Sequence, residues 1–77
     1  MEVKEGIIAI LNEIKPTKNL ADINNIVEGG FIDSFELMFL ITSISEKFNI
    51  SIGVDDITPE NFNSVDGITK MVIDHLK

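Results

Sequence analysis

Gly29-Gly30-Phe31-Ile32-Asp33-Ser34-Phe35-Glu36 is where an irregular stretch ends and a helix begins. The two glycines give the turn backbone freedom, including access to positive φ. Asp33 stands three residues before Glu36, the spacing of a capping box. Asp33 as N-cap accepts a bond from a first-turn N–H, and Glu36 reaches back to the cap. Such a cap contributes about 1 kcal/mol. Ser34 falls at the first helical position with its hydroxyl outside the turn. The opening N–H groups of a helix lack partners and carry partial positive charge, so an anionic ester on Ser34 would be stabilised there.

Downstream of this start, the spacing predicts a helix from Ser34 to about Asn49. At 100° per residue, Leu37, Leu40, Ile41, Ile44 and Phe48 share one face and Met38 borders it. Phe35 and Phe39 fall on the other side, four residues apart and beside Ser34. They either fold over the preceding loop to finish a thin core or stay in solvent as a contact patch. Upstream, Val3, Ile7, Ile10, Leu11 and Ile14 form a helical stripe that stops before Pro16, with Glu2, Glu5 and Glu13 mostly off it. Residues 15–33 read as a long loop. Within it, Leu20, Ile23, Ile26 and Val27 anchor to the core, with room for one short helical turn.

Past Asn49, Ile50-Ser51-Ile52-Gly53 is a second loop rather than a strand. Thr58-Pro59-Glu60 is a helix start, with a hydroxyl cap and proline at the first position. It opens one short turn that buries Phe62. Asn63 or Ser64 caps a last helix, with stripe Val65, Ile68, Val72 and Leu76, Ile73 flanking it, and Lys77 in its last turn. Gly67 costs that helix about 1 kcal/mol relative to alanine and would let another backbone come close. The expectation is an all-α chain: a small four-helix bundle of three main helices and one short one.

The chain has 77 residues, enough for one domain over 1–77 with a marginal core. It has no cysteine, so neither disulfides nor thiolate metal sites staple that core. Thirteen acids against six lysines give a net charge of -7. That balance repels nucleic-acid phosphates and anionic membranes and favours basic protein surfaces. Met1-Glu2-Val3-Lys4-Glu5 is not a basic leader, and the longest apolar run, Leu37 to Ile41, is too short to span a bilayer. A cytoplasmic monomer is the expectation.

Asp33-Ser34-Phe35-Glu36 near the middle of a small acidic helical chain resembles the Asp-Ser-apolar signature of acyl carrier proteins. The likeness covers nearly the whole chain: first helix, long loop, Asp-Ser at the head of helix two, short third helix, closing helix. It implies that Ser34 bears 4'-phosphopantetheine from coenzyme A, installed by a phosphopantetheinyl transferase. It also implies that Asp33 supports this step by helping to position the transferase's metal. The protein would then be a non-enzymatic carrier of acyl thioesters for fatty-acid, polyketide or related biosynthesis. Acyl or aminoacyl ligases and synthases with basic docking surfaces would be its partners. Phe35, Glu36, Met38, Phe39 and Glu46 are the candidate docking residues. The sequence departs from fatty-acid carriers in having Phe35 after the serine, and Phe39 and Ser45 where those carriers commonly have glutamates. The Gly-apolar-apolar-Asp-Ser-Phe form is closer to aminoacyl carriers, including D-alanyl carrier proteins.

Other chemistry fits poorly. His75 is the one histidine, far from Ser34 in sequence, and no Gly-x-Ser-x-Gly elbow is present, so a hydrolase triad is not expected. Asp55, Asp56 and Glu60 lack the ligand order of a calcium loop and read as a solvated acidic loop rather than a metal site. Gly29-Gly30 lacks the Gly-Lys-Ser/Thr of a phosphate-binding loop. An unmodified acidic helical domain that binds a basic partner is the alternative from a different functional class.

Overall fold

A computed structural model describes residues 2–77 of the chain. Among them are four α-helices and no strand: α1 (Glu2–Ile14), α2 (Ser34–Phe48), α3 (Pro59–Phe62) and α4 (Val65–Leu76). The expected placement of the Glu2 side chain lies outside the described residues. Short 3-10 turns at Leu20–Asp22 and Val54–Asp56 interrupt the two long loops. The first is the helical turn expected between α1 and α2. The second was not legible, because Val54-Asp55-Asp56 has no apolar period.

The core lies where α1 packs against both α2 and α4, with α3 set against α4. Val3, Ile7, Ile10 and Leu11 of α1 meet Leu40, Ile41 and Ile44 of α2 and Val65, Ile68, Met71 and Val72 of α4. Leu37 and Phe48 close the ends of the α2 stripe as partly buried residues. Leu20 and Ile26 are fully buried, so the long loop is pinned by its apolar residues as expected, while Ile23 and Val27 pack at the core's edge. Leu20 and Ile26 gain on the order of 2 kcal/mol each on burial, which offsets part of the entropy of ordering so long a connection.

The helix ends follow local chemistry. Asn49 terminates α2 in the left-handed conformation, φ 56°, which asparagine tolerates better than most residues. The Thr58 hydroxyl accepts from Asn61 N–H at 3.2 Å, and Pro59 occupies the first position of α3. Of the two possible caps for α4, Ser64 acts: its Oγ accepts from Gly67 N–H at 3.0 Å.

The stripe on α4 differs from the expected one. Met71 is buried beside Val72, and Leu76 is 51% exposed. Leu76 keeps the direction of the stripe but lies in the helix's last turn, past its buried residues. Lys77 follows the helix instead of belonging to it, and His75 is the basic residue of the last turn.

Candidate functional site

At the head of α2, Asp33 is in extended conformation and its Oδ1 accepts from Glu36 N–H at 2.8 Å. Glu36 Oε1 accepts in return from Asp33 N–H at 2.9 Å, so the capping box read from the sequence is complete. Ser34 is the first residue of α2 and is exposed. Among the described residues none hydrogen-bonds its hydroxyl. The turn before it needs Gly30, whose φ of +74° is a region that other residues enter at a cost.

Beside Ser34 lies an open cleft of about 270 Å³ lined by Val27, Ile32, Asp33, Ser34 and Leu37. Ile32 is buried, so the backbone on the entry side of the site is held by the core. Phe35 is 88% exposed, Met38 59% and Phe39 51%. The loop does not cover them, because its own apolar anchors, Leu20 and Ile26, reach the core elsewhere. Together they make an apolar patch next to the serine.

Glu36 has a second engagement that its place in sequence did not show. Its Oε2 pairs with Lys15 Nζ at 3.0 Å. Lys15 follows the last residue of α1, so the pair ties the end of α1 to the start of α2. Glu36 is thus committed inside the molecule, whereas Glu46 is exposed further along α2.

The remaining candidates lie elsewhere. Asp56 and His75 meet, with His75 Nε2 and Asp56 Oδ2 2.9 Å apart. Asp56 Oδ2 also accepts from Gly53 N–H at 3.0 Å. The Gly53 bond, then the His75 bond, hold the Asp56 carboxyl below its ordinary range. The pair ties the second loop to α4, and no local pattern announced it. Asp55, Asp56 and Glu60 do not converge: among the described residues no three acidic or histidine side chains gather as metal ligands.

No family model matches the chain. No solved structure matches it either. Curated relatives do. A D-alanyl carrier protein from Lactobacillus acidophilus is 30% identical over 74 residues, which span 94% of this chain and 92% of that protein. The chain belongs to the carrier-protein family. A D-alanyl carrier protein from Streptococcus suis is 28% identical over 76 residues, spanning 96% of this carrier and 95% of the relative. Aminoacyl carrier protein 1 from Bradyrhizobium diazoefficiens is 28% identical over 69 residues, spanning 90% of this carrier and 69% of the relative.

Carrier proteins hand cargo to enzymes and are not enzymes themselves. Their cofactor is covalently attached 4'-phosphopantetheine, which supplies the thiol that this carrier's own residues lack. The residues present fit such a group: a free hydroxyl on a helix N-terminus, with an open cleft beside it. No helix of the described residues is long and apolar enough to cross a membrane.

Proposed function

We propose that this chain is an aminoacyl carrier domain, with D-alanine the leading candidate cargo, held as a thioester on 4'-phosphopantetheine attached to Ser34. The exposed, unbonded Ser34 hydroxyl at the capped start of α2 is the observation that supports it. Asp33 is the supporting residue: it forms the cap and borders the serine. The aminoacyl cargo is favoured over a fatty-acyl or polyketide one by the names of the relatives and by the departure of α2 from the acid-rich pattern. A flexible arm holds cargo at high effective concentration beside each partner enzyme. Those partners are a phosphopantetheinyl transferase and an aminoacyl ligase, which dock on Phe35, Met38 and Phe39, with Glu46 and the Lys15-paired Glu36 at the rim. The use of coenzyme A as the source of the arm favours a cytoplasmic setting, and a monomer is the form we propose for the protein there.

Incubation with coenzyme A and a broad-specificity phosphopantetheinyl transferase should add the mass of one arm, and Ser34→Ala should gain none. No gain by the unvaried chain, or an equal gain by Ser34→Ala, overturns the assignment. Intact mass of the protein purified from its own host then reads the cargo. An aminoacyl increment on the arm fits the proposal, while a long-chain acyl increment replaces it with the fatty-acyl reading.

A further inference from the structure

Asn63, at the corner between α3 and α4, holds the segment that leads into Ser34. Its side chain caps no helix, since Ser64 caps α4. It turns instead to residues 26–28. Oδ1 accepts from Val27 N–H at 2.9 Å and from Glu28 N–H at 3.0 Å. Nδ2 donates to Glu28 Oε1 at 3.1 Å, and the Asn63 main-chain oxygen accepts from Ile26 N–H at 2.9 Å. Three successive loop N–H groups, which a long connection would otherwise leave to water, thus end on one residue.

The ties run on toward the serine. The Val27 carbonyl accepts from Gly30 N–H at 3.1 Å, and the Ile26 carbonyl accepts from Phe31 N–H at 3.1 Å. Ile32 is buried, and the next residue is the Asp33 cap. Val27 also lines the cleft at Ser34. One asparagine therefore anchors both the approach to the site and one wall of its cleft.

We propose that Asn63 is a positioning residue for the carrier site, fixing residues 26–32 so that Ser34 meets its transferase in one geometry. The proposal rests on Ser34 being the attachment point. Without the Asn63 side chain, Val27 and Glu28 lose their acceptor, and the loop gains freedom it must give up again at each encounter. Asn63→Asp keeps the acceptor but sets a carboxylate against Glu28. Adding Glu28→Gln restores a donor on the opposite side and should rescue it.

The test uses the full chain at a temperature where circular dichroism shows each variant folded. Asn63→Ala should speed amide exchange at the partly buried Val27 by up to about tenfold, the scale of one lost hydrogen bond, and at the exposed Glu28 by less. The Leu40 and Ile44 amides in the middle of α2 should hardly change. Transfer of phosphopantetheine from coenzyme A should fall by about threefold to tenfold in kcat/KM. Asn63→Asp should fall between, and Asn63→Asp with Glu28→Gln should recover toward the unvaried rate. A purely structural Asn63 would raise exchange along the whole chain and slow transfer only by the unfolded fraction, which overturns the role. So does transfer at the unvaried rate by Asn63→Ala, or unaltered exchange at Val27 and Glu28. No arm on the unvaried chain would instead defeat the Ser34 assignment itself and take the role with it.

Discussion

Gly67 bears on how closely α3 and α4 can meet. A Cβ built there would lie 2.5 Å from the Glu60 carbonyl oxygen and 3.1 Å from that of Asn61. Both obstacles are backbone, so neither can swing aside. Gly67→Ala sets a helix-propensity gain of about 1 kcal/mol against an overpacking cost of about 1–3 kcal/mol. The clash should win, and urea denaturation should show a net loss of up to about 2 kcal/mol. A more stable Gly67→Ala would mean that the corner opens freely. That close approach was legible, because a glycine inside a helix asks for a reason. The Asn63 clamp and the His75–Asp56 pair were not. Their partners lie far along the chain, and asparagine or histidine at a helix end carries no local sign of which distant group it will meet.

At the scale of elements, periodicity and punctuation together defined α1, α2 and the short α3: Pro16 follows the end of α1, Asp33 and Asn49 bound α2, and Thr58 and Pro59 open α3. What periodicity could not decide was the second face of α2. It placed Phe35 and Phe39 off the core stripe but left open whether the long loop would fold over them. The loop spends Leu20 and Ile26 on the core, and the phenylalanines stay in solvent. The acidic rim is also thinner than the sequence suggests, since Glu36 is paired with Lys15 and bonded to Asp33 N–H. Docking on this helix should therefore lean on apolar contact more than on charge. Phe39→Glu, at a half-exposed position, should move Tm by no more than about 4 °C. It should lower kcat/KM with the cognate ligase by about tenfold, as loss of a central apolar contact does. A large fall in Tm would show instead that the ring belongs to the core.

Across the whole molecule, the charge works against compactness. The acids outnumber the lysines thirteen to six, within a radius of gyration of 11.1 Å. The Debye length at 0.1 M salt is about 10 Å, close to that radius, so ionic strength in this range decides whether charges on opposite sides of the bundle feel one another. Two effects compete as salt rises. Screening weakens the favourable pairs Lys15–Glu36 and Lys4–Asp66, but such surface pairs contribute at most about 1 kcal/mol each, and Asp66 is almost wholly exposed. Screening also relieves the mutual repulsion of seven uncompensated negative charges, which acts on every turn of a core too thin to oppose it strongly. Repulsion should dominate. Raising sodium chloride from about 20 mM to about 300 mM should then increase Tm by about 5 °C, the shift that about 1 kcal/mol makes in a domain of this size. Magnesium at equal ionic strength should do no more than sodium, because no acidic cluster of the described residues is arranged to hold it. A flat or falling Tm would mean that the few lysines are placed well enough to cancel the excess. A gain confined to magnesium would mean that the carboxylates of the second loop rearrange around the ion.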